Sequence, residues 1–195
     1  DIEIRAGGTL LASDGAVLNA HGAGTGQGGF VDLSGQVARI GAIAVDLASD
    51  HGKAGTLLFD PYDLVIGGTT TDSGSSNDYS LAGSIMSQGA NVVLEADHSI
   101  TLASGGLIDT RQISGGTSTG DSGSITLVAP SITLEDGSSL LAGVSAGSTY
   151  AAGDIEIDAT QVDGGTARIV IGQGTGAAPV LTGRNITLKA DSAVD

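Results

Sequence analysis

Three histidines, His21, His51 and His98, precede the tetrapeptide Gly120-Asp121-Ser122-Gly123. A serine in that setting is a candidate nucleophile, provided that a histidine held by a carboxylate takes its proton. Ser124 follows where such sites usually carry another glycine, and no local pattern around any histidine supports the partnership. The tetrapeptide also sits in a Thr/Ser/Gly stretch that leads directly into a strand-like segment, so a loop is the better reading.

Asp154, Glu156 and Asp158 stand at alternate positions and would share one outward strand face. Such a row suits acid–base work on a polysaccharide, or oxygen ligation of calcium. Acid–base chemistry there also needs a cation near the substrate. The nearest candidate by sequence is Arg168, and a solvated acidic face is the simpler reading. Gly24, Gly26 and Gly29 satisfy G-x-G-x-x-G, but they precede Phe30-Val31-Asp32-Leu33, a strand pattern, where a dinucleotide loop would open a helix. Gly52-Lys53 lacks the spacing of a phosphate loop, and Asn185-Ile186-Thr187, a glycosylation sequon, falls in an expected core strand. No residues are therefore assigned as catalytic, cofactor-binding or metal-binding, and the chain is expected to be non-enzymatic and to need no cofactor.

What positions these residues is a chain of 195 residues with 33 Gly, two Phe, three Tyr, no Trp and no Cys. Glycine is well above its usual share of about 7%. The core must then be made of Ile, Leu, Val and Ala in thin layers, as in stacked short strands joined by glycine-rich turns. Seven basic residues against 22 acidic ones give a formal net charge of −15. Such a surface repels nucleic acid and anionic membranes, and no basic patch offsets it. No apolar run reaches the roughly 18 residues of a membrane span, so neither nucleic acid nor membrane insertion is expected. The start at Asp1, without Met or a leader-like segment, fits a piece of a longer protein.

Gly55 to Gly67 reads strand, corner, strand. Leu57 to Phe59 and Leu64 to Ile66 are apolar, and Asp60-Pro61 between them fixes a turn. Nearly every residue of both arms is apolar, which implies burial on both faces or a dense core. The order before it is Ile2 to Ala6, Thr9 to Leu11, Ala16 to Leu18, Phe30 to Leu33, Val37 to Ile40 and Ile43 to Leu47, all short strands. After it come a Ser/Thr/Gly loop from Gly68 to Asp78 and then Tyr79 to Gln88, where Leu81, Ile85 and Met86 share a helical face and Gly89 can cap the end. One short helix is expected over 79–88.

From Asn91 onward a pattern recurs: polar, Ile, polar, Leu or Ile, polar, Ala. It is found at Asn91 to Ala96, Ser99 to Ala103, Ser124 to Ala129, Ser131 to Glu135, Asp154 to Ala159 and Asn185 to Ala190. Matching isoleucines at Ile100, Ile125, Ile155 and Ile186 lie 25, 30 and 31 residues apart. A fixed core with variable loops gives such uneven spacing. Weaker third strands, such as Ser138 to Gly143, complete each unit. Three short strands per turn, with the second and fourth pattern positions inward, describe an all-β parallel β-helix in preference to an antiparallel sandwich.

The segment Gly55-Thr56-Leu57-Leu58-Phe59-Asp60-Pro61-Tyr62-Asp63-Leu64-Val65-Ile66, the Ser/Thr-rich insertion, the expected helix, Gly89-Ala90-Asn91-Val92 and Ile100-Thr101-Leu102 follow in an order similar to that of two-partner-secretion exoproteins, the filamentous-haemagglutinin-like adhesins. The resemblance is specific over 55–102 and supports only the fold elsewhere. It implies a right-handed parallel β-helix and export through an outer-membrane transporter. It also implies a secreted or cell-surface location, and attachment to extracellular polysaccharide or to a host or bacterial cell-surface component. The secretion domain of that family carries an N-P-N-G motif, whereas the three prolines here are Pro61, Pro130 and Pro179, none after Asn. The expectation is therefore one β-helix domain over 1–195, downstream of the secretion signal. Its coils are irregular over 1–67 and regular over 91–195, with the loop and short helix at 68–90. The alternative reading is a polysaccharide-cleaving, or carbohydrate- or calcium-binding, module on the same scaffold.

Overall fold

The computed structural model describes residues 1–49, 51–71, 78–81, 83–160, 167–173 and 176–191. The chain is all-β, with no helix among the described residues and with mostly parallel strands, compatible with a solenoid. The first circuit holds β1 (Ile2–Ala12) and β2 (Ala16–Asn19), and the second holds β3 (Phe30–Ile40) and β4 (Ala42–Asp46). The third contains β5 (Thr56–Phe59), β6 (Asp63–Ile66), a ribbon of β7 (Gly68–Thr71) and β8 (Asp78–Leu81), and β9 (Ser84–Met86). The fourth contains β10 (Asn91–Glu95), β11 (Ser99–Leu102), β12 (Leu107–Asp109) and a ribbon of β13 (Ile113–Ser114) with β14 (Thr117–Ser118). Then follow β15 (Ile125–Val128), β16 (Ser131–Leu134) and β17 (Ser139–Leu141); β18 (Ile155–Thr160), β19 (Arg168–Ile171) and β20 (Val180–Thr182); and β21 (Ile186–Asp191).

Strands of successive circuits pair side by side. One sheet runs β19-β16-β11-β6-β3-β5-β10-β15-β18-β21 with β1 on β3, and a second runs β2-β4-β9-β12-β17-β20. The first sheet is two stacks joined at β3, whose front half (Phe30 to Leu33) pairs with β5 and whose rear half (Val37 to Ile40) pairs with β6. Strands β1 and β3 therefore run unbroken where four shorter strands were expected. Asp60-Pro61-Tyr62 is the first corner to split the path: proline cannot donate to the ladder and forces an extended residue before it. Among the described residues every strand pairing is parallel except in the two local ribbons, which disposes of the antiparallel sandwich.

Alternation decides what each strand buries. Leu57, Phe59, Leu64 and Ile66 are buried, while Leu58 and Val65 are half-buried, so the 55–67 segment has one core face and not two. Val92 and Leu94, Ile125 and Leu127, and Ile155 and Ile157 are inward as the pattern implies. They stack in register, Val92 on Ile125 and Ile125 on Ile155. Ile100 belongs to the neighbouring stack, between Leu64 and Ile132. The equivalent positions are thus Val92, Ile125, Ile155 and Ile186, spaced 33, 30 and 31 residues apart. Ile186 and Leu188 keep the register but stay exposed, since no described strand lies beyond β21.

The helix expected over 79–88 is replaced by β8, β9 and a turn. Ile85 is buried and stacks between Ile43 and Ile108, and that ladder outweighs the helical spacing. Gly83, at φ 63°, also breaks the helix. A Cβ there would lie 2.2 Å from the Gly67 Cα. Glycine on both sides lets the β7–β8 ribbon leave and re-enter the circuit through one narrow base. The Gly68 to Asp78 loop is in part this antiparallel ribbon; 72–77 lie outside the described residues.

Ile125→Asp places an unpaired charge in the ladder and is expected to cost at least about 3 kcal/mol in denaturant unfolding. Thr126→Asn, on the outer side, should stay within about 0.5 kcal/mol. Asparagine is the better probe there, because an aspartate would stand beside Glu156. Equal losses from the two variants would contradict the inward assignment. Ser138 is buried and its hydroxyl lacks a partner. Ser138→Ala should therefore raise stability by up to about 1 kcal/mol, and a clear loss would show that the hydroxyl is satisfied in solution.

Candidate functional site

The tetrapeptide 120–123 lies in the long corner between β12 and β15. Ser122 Oγ donates to the Gly143 carbonyl at 2.8 Å, and Asp121 Oδ1 accepts from the Ala151 amide at 2.8 Å. Two of the histidines are engaged elsewhere. His21 Nδ1 is 3.0 Å from Asp46 Oδ1, and His98 Nδ1 is 2.7 Å from Asp63 Oδ1 with its ring stacked on Tyr62 at 5.1 Å between centroids. No hydrogen bond joins Ser122 to a histidine among the described residues. Gly24, Gly26 and Gly29 form a loop that returns to the sheet, Gly29 donating to the Ala20 carbonyl at 2.8 Å, and it opens β3 and not a helix.

The carboxylate row is outward, since Ile155 and Ile157 take the inward positions of the same segment. Arg168 is not its neighbour: it pairs with Ser131 in the other stack. The cations that meet the row come from the next circuit. Arg184 Nε and Nη2 donate to Asp154 Oδ1 and Oδ2 at 3.0 and 2.7 Å, a bidentate pair. Lys189 Nζ bonds Glu156 Oε1 and lies 3.5 Å from Asp158 Oδ2. Asn185 is exposed and not in the core, its amide nitrogen donating to Asp154 Oδ1 at 2.9 Å.

These contacts set the electrostatics. The hydrogen bond from Arg184 holds the Asp154 carboxyl below its ordinary value against desolvation, with Asn185 and the Arg184 charge helping. The Arg184 guanidinium is raised by the same bond. Lys189 is raised by its hydrogen bond to Glu156, then by the charges of Glu156 and Asp158. Two cations thus offset most of the charge of the three carboxylates in place. Among the described residues no group of three His, Cys, Asp or Glu side chains is arranged to hold a metal ion. Spacing within one circuit could not reveal Arg184 and Lys189, because stacking brings them from about 30 residues away.

A groove of about 450 Å³ crosses three successive corners on the side where the second sheet passes back to the first. Corner 87–90 is short, whereas 47–55 before it and 110–124 after it are long. A short corner between two long ones leaves a saddle. Lys53, Gln88, Asn91, Gln112, Asp121 and Ser122 line it. Its floor includes Gly123, where a Cβ would lie 2.0 Å from the Ala90 carbonyl oxygen, so only glycine fits.

No family model, no curated protein and no solved structure matches the chain. No helix among the described residues is long and apolar enough to cross a membrane.

A depressed carboxyl stabilises the fold above its ordinary pKa, and that contribution is lost as the pH falls through the lower folded value. Asp154→Asn is expected to flatten the stability–pH curve below about pH 4 and leave its shape near neutrality unchanged. An acid limb identical to that of the parent would contradict the Asp154–Arg184 pairing in solution.

Proposed function

We propose that this chain is a right-handed parallel β-helix serving as a structural and adhesive segment of a large secreted bacterial surface protein. On this reading it is similar in kind to the filamentous-haemagglutinin-like exoproteins of two-partner secretion. It performs no catalysis and attaches to extracellular polysaccharide or to a cell-surface component, and its parent is exported by an outer-membrane transporter.

The observation that carries this reading is the parallel stacking of equivalent strands, circuit on circuit, along almost the whole chain. Such a body offers long corner surfaces for attachment at little cost in core design. The 55–66 segment, with its Asp60-Pro61 corner, and the Asn91-Val92 and Ile100-Thr101-Leu102 strands support the family likeness. Among the described residues, β8 and β9 stand where the same likeness implies a helix. That weakens the likeness over 79–88 and leaves the strand ladder untouched. Arg184 and Lys189, the cations that meet the Asp154–Glu156–Asp158 row, are occupied by its carboxylates, which argues against a lyase site on that row.

Beads coated with the chain are expected to adhere to polysaccharide films or cell monolayers well above beads coated with the Ile125→Asp variant. Incubation with uronate polymers should yield no unsaturated ends. Absorbance from such ends, or adhesion no better than that of uncoated beads, would contradict the adhesive, non-catalytic reading.

A further inference from the structure

Gln88 is the one non-glycine residue at positive φ among the described residues, at 46°, followed by Gly89 at 94°. Two successive positive φ values form the primed turn that Asn, Asp and Gly accept readily. The turn is closed by the Ala90 amide donating to the Ser87 carbonyl at 3.1 Å and by Ser87 Oγ donating to the Ala90 carbonyl at 2.7 Å. Glutamine gains nothing locally from that backbone, so its position is a strain retained at this corner. Its exposed side chain lines the saddle groove.

Two of the other groups in the groove, Asn91 and Asp121, are held by bonds that leave part of each free. Asn91 Oδ1 accepts from the Ser124 amide at 2.9 Å, which fixes the side chain and leaves its NH₂ as a donor. Asp121 Oδ1 is taken by Ala151, and Oδ2 is left as an acceptor. Gln112 reaches over Gly120, where a Cβ would lie 1.6 Å from its Oε1, so its path depends on that glycine. Lys53 and Asp121 balance one another in charge. Three amides, one of them fixed, with one acid and one base around a glycine floor, form a net-neutral hydrogen-bonding cleft. Its volume falls within the roughly 300–1,000 Å³ of small-molecule sites.

We infer that this groove binds a neutral saccharide chain, its amides pairing with adjacent hydroxyl groups. This deepens the adhesive reading by naming the surface and the ligand chemistry. A polyanion is disfavoured by the formal net charge of −15. Lining without an aromatic ring implies weak binding per groove, strengthened by multivalency on a surface. Tyr62 and His98 do not compete for the role, because their rings spend a face on each other.

Affinity electrophoresis in gels containing a glucan, a galactomannan, polygalacturonate or a neutral high-mannose glycoprotein separates the possibilities. Retardation by at least one neutral probe is expected, the polysaccharide and glycoprotein gels telling the two sources apart. Gln88→Gly and Gln112→Ala should each weaken binding fivefold or more, and Tyr62→Ala should not. Gln88→Gly also relieves the turn, so its melting temperature should equal or exceed that of the parent while binding falls, a split that a purely structural role cannot give. No retardation by any neutral probe, stronger retardation by polygalacturonate, or unchanged binding in both groove variants would overturn the inference. Bead adhesion that survives both groove variants would also overturn it, yet leave the adhesive reading standing, whereas loss of all bead adhesion in the parent would overturn that reading itself.

Discussion

In-register contact between aliphatic side chains of successive circuits is the interaction on which the rest of this molecule depends. The chain has no cysteine to staple it and very few aromatic rings to fill space. Each short strand buries alternate residues, and those residues meet their counterparts one circuit away: Leu57 meets Val92, which meets Ile125, which meets Ile155. Burying each such side chain is worth roughly 1.5–3 kcal/mol. A strand that slipped by one residue would turn its whole inward set to solvent. The register is therefore fixed by the core, and the corners are left to vary.

That freedom at the corners is what gives the body its distinct surfaces. The β7–β8 ribbon is inserted between β6 and β9 through the Gly67–Gly83 pinch without disturbing the ladder on either side. The β13–β14 ribbon, turning on Gly115 and Gly116, lengthens another corner in the same way. Corner 87–90 carries no insertion, and the groove exists because its neighbours are longer. Charge follows from the same stacking: Lys189 stands beside its register partner Asp158 and reaches diagonally to Glu156, and Arg184 meets Asp154 just before the same two strands begin to pair.

Much of the ladder was legible in the amino-acid order, because alternation with period two is a local property. Ile125, Leu127, Ile155 and Ile157 could be placed inward with no knowledge of what they touch, and Pro61 announced its corner. Which stack a strand joins is a non-local property, so Ile100 was grouped with Ile125 although it lies one stack over. The 79–88 segment misled for a related reason: the four-residue step from Leu81 to Ile85 suits a helical face, and only the ladder from Ile43 to Ile108 reveals Ile85 as a strand residue. The groove had no local signal beyond the Gln88-Gly89 pair, since its shape comes from comparing three corner lengths.

The absence of cysteine allows a direct test of the stacking. Cα partners in neighbouring strands lie about 4.8 Å apart, within disulfide reach. Thr126 and Glu156 are such partners on the outer face, whereas Thr101 belongs to the stack that contains Thr133. Under mild oxidation, the double variant Thr126→Cys, Glu156→Cys should cross-link almost fully within the monomer, and Thr101→Cys, Thr126→Cys should not. Efficient cross-linking of the second pair, or none of the first, would contradict the circuit-on-circuit account.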